Sequence, residues 1–210
     1  MENKIILIGG VPGTGKSTLA TELAKSFGIE HVIHTDIIRD VMRSYEDKTK
    51  NPLLFDVSHK CWKYFGELNN CNVIKGFFEH TFLMKSIIKK LIFNNIKAGT
   101  SAVIEGVHIT PFLALEIPKN IPIFILSINN KNEHFKMFDN KNNRRTIKNE
   151  EWYENYNNIS LIQDKISLLA EKLSPNFNVH LIENKSFDKT LDEINFILKN
   201  GRLERMRLCC

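Results

Sequence analysis

Residues 4–18 read KIILIGGVPGTGKST. Lys4–Gly9 is an unbroken apolar run that ends in glycines, the pattern of a parallel strand buried on both faces. Lys16–Phe27 then carries Leu19, Ala20, Leu23, Ala24 and Phe27 at helical spacing, and Gly28 is placed to stop it. Between strand and helix, Gly10–Ser17 fits G-x-x-x-x-G-K-[ST]. Glycines let backbone amides curl around an anion with no Cβ in the way, and the helix that follows aims its positive end at the same point. Gly10, Pro12, Gly13, Thr14, Gly15, Lys16, Ser17 and Thr18 are therefore expected to hold the phosphates of ATP. Lys16 would act on the β- and γ-phosphates, and Ser17 would ligate Mg²⁺. A chance glycine-rich turn is the competing reading, but it does not require the apolar strand and amphipathic helix that flank this one.

Outward from that loop, strands and helices alternate. His31–His34 is a short second strand, and Thr35 or Asp36 could cap the helix through Ile37, Ile38, Val41 and Met42. Tyr45–Pro52 reads as loop, and Pro52–Asn69 has room for a short helix. Val73–Lys97 has helical periodicity and Gly99 ends it. Ser101–Glu105, Ile121–Ile128 and Val179–Glu183 read as strands three to five. Asn129–Asn149 is polar and basic with no apolar period. Helices over Tyr153–Leu173 and Leu191–Leu198 complete the pattern. The alternation predicts an α/β fold: a five-stranded parallel sheet covered on both faces, three layers in all. Ligands in such sheets bind beyond the carboxyl ends of the strands.

The chain of 210 residues carries a formal charge of +5. Lys199, Arg202, Arg205 and Arg207 against Glu204 place +3 of it in residues 199–210, leaving +2 on the rest. A near-neutral body lacks the broad basic face that phosphate-backbone binding needs, which argues against a nucleic-acid partner. Cys61, Cys71, Cys209 and Cys210 form no zinc-type spacing. No leader-like or membrane-spanning run is visible, so a soluble cytoplasmic protein is expected. The oligomeric state is left open. A phosphate loop on a chain this short suits a small kinase, which needs only a nucleotide site, an acceptor site and a closing lid. One phosphate-loop kinase domain is expected over 1–198, with an acceptor-binding segment about 36–98 and a small lid about 129–152. A basic tail, taken as disordered, follows at 199–210.

Several charged residues fall at strand ends, where the ligand belongs. Asp36 follows the second strand and can accept the proton of an attacking hydroxyl or orient it; it can equally be a helix cap. Arg39 and Arg43 share a helix face and suit an anionic acceptor, with Asp40 and Glu46 as ordinary salt-bridge alternatives. Glu105 ends the third strand, where a carboxylate organises Mg²⁺ and its waters, and His108 is close enough in sequence to touch the acceptor. Arg144 and Arg145 lie in the lid segment, where an arginine arriving on closure would stabilise transferred charge. His59, Lys60, Trp62 and Lys63 read as structural or solvated. A GTPase is disfavoured because no N-K-x-D string or D-x-x-G element is present.

Four strings together resemble the 2-phosphoglycerate kinases: GGVPGTGKST at 9–18, HTDIIRDVMR at 34–43, VIKGFFEH at 73–80 and AVIEGVHITP at 102–111. HFKMF at 134–138 and the helix around 155–166 are similar too. The resemblance implies a nucleoside-monophosphate-kinase-like fold and Mg²⁺-dependent transfer of the ATP γ-phosphate to 2-phosphoglycerate, giving 2,3-bisphosphoglycerate. The sequence is expected to depart from the family in one respect: its first strand starts at Lys4, without the regulatory region that archaeal members often carry before the kinase domain. Three other readings remain: a kinase for another small alcohol or phosphate ester, a kinase for RNA such as a charged tRNA, and a nucleotide-binding or interaction protein without catalysis.

Overall fold

A computed structural model describes residues 4–142 and 150–208. Its chain order is β1 (Ile5–Gly10), α1 (Lys16–Phe27), β2 (His31–His34), α2 (Thr35–Arg43), 3₁₀ turns at Pro52–Phe55 and Ser58–Tyr64, and α3 (Asn70–Ala98). Then come β3 (Ala102–Glu105), a third 3₁₀ turn at Pro111–Leu115, β4 (Ile123–Ser127), α4 (Lys131–Asn142), α5 (Glu150–Leu173), β5 (Val179–Glu183) and α6 (Phe187–Leu208).

The five strands are all parallel, in the order β2-β3-β1-β4-β5. The central strand is β1, and every one of its residues is buried. Its side chains alternate between two cores, as the pleat requires. Ile5 and Leu7 join Phe77, Met84, Ile88, Ile159 and Ile162 on the face covered by α3 and α5. Ile6 and Ile8 join Leu19, Leu23 and Ile194 on the face covered by α1 and α6. The three expected layers and the five-stranded parallel sheet are thus present.

Local signals account for most boundaries. Gly28 and Gly99 close α1 and α3 in the left-handed conformation, with φ 63 and 70°. At the start of α3 the Asn69 side chain accepts from the Asn72 amide, 2.9 Å, so that helix begins before the apolar periodicity does.

Three local expectations are corrected. Neither Thr35 nor Asp36 caps α2, whose preceding residue is His34; the Thr35 hydroxyl is paired with His108 Nδ1 instead, at 2.8 Å. Residues 131–142, expected to be irregular, form α4, because His134 and Phe138 are buried against the glycine loop and supply the packing that an apolar stripe would. Helix α6 continues through Gly201 to Leu208, so backbone helix replaces the expected disordered tail over that span. Among the described residues no helix is long and apolar enough to cross a membrane.

Candidate active site

The carboxyl ends of β1, β2 and β3 open onto a cleft of about 380 Å³, within the range of small-molecule sites. Pro12, Lys16 and Ser17 line one end of it. The loop behind them is closed by its own polar groups. The Thr14 hydroxyl and the Lys16 ammonium both donate to the Val11 carbonyl, at 2.9 and 2.8 Å. Gly13 and Gly15 sit at φ +86°, a region closed to most side chains, and a Cβ at Gly13 would lie 3.0 Å from the Phe138 backbone.

Beside the loop, Glu105 is nearly buried at 5% exposure. The Ser17 hydroxyl donates to its Oε1 at 2.9 Å, and His34 Nδ1 lies 2.5 Å from the same atom. Parallel pairing sets this up, because β2 and β3 run in register and place His34 opposite Glu105. Sequence reasoning did not single out His34; its position at the last residue of β2 was the available signal. The pair fits a magnesium site. Mg²⁺ keeps several waters and takes only one or two protein groups beside the phosphates. Among the described residues no cluster of three or more His, Cys, Asp or Glu stands ready to cage a metal by itself.

Across the cleft stand Asp36 and Arg39 from α2, and Asp56, Ser58, His59 and Lys60 from the turn after it. The Asp36 side chain is 62% exposed and open to a ligand. Arg39 is largely covered and donates weakly to the Asp56 carbonyl, 3.4 Å. Arg43 does not line the cleft: its guanidinium reaches Asp40 at 3.2 Å and lies over the Phe55 ring. His108 also lies behind the lining, 1% exposed, with Nδ1 on Thr35 and 4.0 Å from Asp36. Arg144 and Arg145 fall outside the described residues.

Lys60, read from sequence as structural or solvated, lines the cleft and pairs with Glu151 of α5 at 2.5 Å. Phe138, Trp152 and Asn155 complete that wall from α4 and α5.

Behind the end of the cleft lined by Asp36 and Arg39 lies a group of histidines kept neutral by burial. Desolvation lowers His59 and His80 to about 4, with the Lys60 and Arg39 charges respectively adding to the effect. Burial pushes His108 well below its ordinary value, and His80 and Arg39 push it further the same way. His80 and His108 stack at 5.1 Å between ring centroids. Their neutrality leaves Arg39 and Lys60, with Lys16, as the cations that face the cleft among the described residues.

Comparison with known proteins follows this geometry. Residues 5–105, from β1 through the Glu105 carboxylate, match the AAA domain family. The 2-phosphoglycerate kinase of Methanopyrus kandleri is 32% identical over 90% of this chain. That of Methanocaldococcus jannaschii is 31% identical over 96%, and that of Methanococcus maripaludis strain C7 is 35% identical over 90%. The chain is a relative of the 2-phosphoglycerate kinases. The resemblance carried by the four strings is borne out across nearly the whole chain, which spans 59, 65 and 62% of those three relatives' own lengths. Among solved structures, a gluconokinase from Sinorhizobium meliloti 1021 superposes with a TM-score of 0.52 at 11% identity, covering 97% of this chain and 98% of that one. At that identity the likeness shows the fold alone, a parallel α/β sheet covered by helices.

Proposed function

We propose that the protein is an ATP-dependent kinase that phosphorylates a hydroxyl of a small anionic metabolite, with 2-phosphoglycerate as the acceptor and 2,3-bisphosphoglycerate as the product. One observation carries this reading. A single small cleft joins a phosphate-loop end, with Lys16, Ser17 and Glu105, to an opposite end where two cations, Arg39 and Lys60, stand with the carboxylates of Asp36 and Asp56. The names of the relatives supply the acceptor.

In this mechanism the loop amides and Lys16 hold the β- and γ-phosphates of ATP. Arg39 and Lys60 hold the acceptor's phosphate and carboxylate, for which Arg's planar donors are well suited. Asp36 takes the proton of the C3 hydroxyl as its oxygen bonds to the γ-phosphorus. The bond from that phosphorus to the bridging oxygen breaks, and ADP leaves with the electron pair. Mg²⁺, when bound, offsets the charge that builds on the phosphate oxygens; Ser17 and Glu105 are the groups to hold it and its waters. His34 keeps Glu105 turned toward Ser17. Arg144 or Arg145 would add a cation from the lid. The cytoplasm is the proposed site of action, since ATP and phosphoglycerates are found there.

The test is an ATP-consumption screen over phosphoglycerates, other hydroxy acids, nucleosides and tRNA. Turnover with 2-phosphoglycerate and the appearance of 2,3-bisphosphoglycerate are expected. Turnover with tRNA alone would replace the acceptor assignment.

A further inference from the structure

The string HFKMF at 134–138 has no part in the chemistry above, yet His134 is 1% exposed and lies against the phosphate loop. Its Nε2 is 3.0 Å from the Pro12 carbonyl, 122 residues away in sequence. A carbonyl only accepts, so the ring donates and Nε2 carries the hydrogen. On the other side of the loop, Asn184, just past β5, donates its amide Nδ2 to the Thr14 carbonyl at 3.0 Å and accepts from the Thr190 hydroxyl at 2.9 Å.

These two contacts fix the direction of the loop's amides. In a planar trans peptide the C=O of one residue and the N–H of the next point opposite ways. A Pro12 carbonyl held toward α4 turns the Gly13 N–H away from α4. A Thr14 carbonyl held toward Asn184 turns the Gly15 N–H away from β5. Donors presented in this way form the anion cradle of such loops. The close packing explains the residue types: a Cβ at Gly13 would press on the Phe138 backbone, and one at Gly15 would come within 2.8 Å of Asn184 Nδ2. His134 is itself held in place. Its ring meets Tyr156 edge to face at 5.5 Å, and the Tyr156 hydroxyl donates to the Lys131 carbonyl at 2.6 Å, tying α4 to α5.

We infer that His134 and Asn184 are positioning residues for nucleotide binding, an outer clamp that holds the phosphate loop with its amides presented to ATP before ATP arrives. The inference rests on the reading of the loop as the ATP site. Burial lowers the His134 pKa, and the Nε2–H to Pro12 is a donor in the neutral and the protonated ring alike.

Titration calorimetry with ATP on the full chain tests it, using wild type, His134→Phe and His134→Gln. Phe retains a planar ring but has no donor, whereas Gln retains an N–H donor. The expected result is about a tenfold weaker Kd for His134→Phe, equivalent to ~1.4 kcal/mol, with His134→Gln within about threefold of wild type, the scale of a small part of one hydrogen bond. Equal binding by wild type and His134→Phe would overturn the clamp, and so would an equal loss in both variants, which would mark a packing effect. If His134→Phe does not fold in a urea titration, Asn184→Leu removes the second donor and should weaken ATP binding in the same direction; wild-type affinity there overturns the inference too. A wild-type chain that binds no ATP refutes the loop assignment itself, a separate outcome.

Discussion

Lowering the pH from 7.5 to 5 should destabilise the protein strongly, and His80 lets the cause be isolated. Its folded-state value is about 4 against 6.5 for an unperturbed histidine. As pH falls through 6.5 the unfolded chain takes up a proton that the native ring refuses until about pH 4. Stability contributed by the neutral ring is complete above that upper value and is lost progressively down to the lower one. At pH 5 the loss from one such group is about 2 kcal/mol by linkage. His59, lowered to about 4 by the same desolvation, adds a similar amount. Together that is roughly 4 kcal/mol, a large part of the ~5–15 kcal/mol that holds a typical domain. Urea unfolding at the two pH values measures it directly. His80→Phe keeps an aromatic ring beside His108 and removes the titrating group. Whatever offset the repacking adds at both pH values, the difference between them should shrink by about 2 kcal/mol. A wild-type chain equally stable at pH 5 and 7.5, or a His80→Phe chain with an unchanged pH slope, would refute the argument.

Other expected outcomes concern the cleft and its surroundings. Asp36→Asn should lower kcat by about 10²–10⁴-fold, the usual weight of general-base catalysis, while ATP binding by calorimetry stays near wild type; a rate within a few fold would leave Asp36 no role in proton transfer. Arg39→Ala should raise the acceptor KM by roughly 10–100-fold, the range of a charge-assisted hydrogen bond. Arg43→Ala, whose guanidinium is already engaged by Asp40 outside the cleft, should change it by less than about threefold; steady-state kinetics with both variants would expose a reversed order. Cys61 is fully buried and desolvation pushes its thiol up to about 12, so iodoacetamide should spare it in the native protein while modifying exposed Cys71. Peptide mass spectrometry reads the two sites separately.

The parts of this structure legible in the sequence are those whose information is local. An apolar run followed by glycines and an amphipathic helix specifies β1, the loop and α1 without reference to the rest of the chain. Asp36 and Glu105 are found for a related reason: each sits where a strand ends, and a parallel sheet gathers those ends on one edge. Other residues were hidden because their partners are far away in sequence. His34 needs the β2–β3 register to meet Glu105, and Lys60 needs α5 to form its ion pair. Helix α4 is hidden because it buries few residues and their partners are distant: the His134 ring turns to the Pro12 carbonyl, and Phe135 and Phe138 pack on the Tyr153, Trp152 and Tyr156 rings of α5. Arg43 shows the converse limit. Helical spacing put it on a face with Arg39, but one turn was enough to carry it out of the cleft and onto Asp40 and Phe55.

The ion pair between Lys60 and Glu151 has a consequence for which ligands the cleft rewards. Lys60 is not a bare charge waiting for an anion; a carboxylate tethered to α5 already stands on it, and that carboxylate is more than half exposed. An incoming anion therefore trades places with a resident one, and its gain is the difference between two attractions of like kind. A ligand with a single carboxylate offers Lys60 about what Glu151 does and gains little by displacing it. A phosphate, with more charge and more acceptor oxygens, wins the exchange and returns Glu151 to water. Selectivity for phosphorylated acceptors would then come from a competitor built into the protein as much as from the cations that bind them.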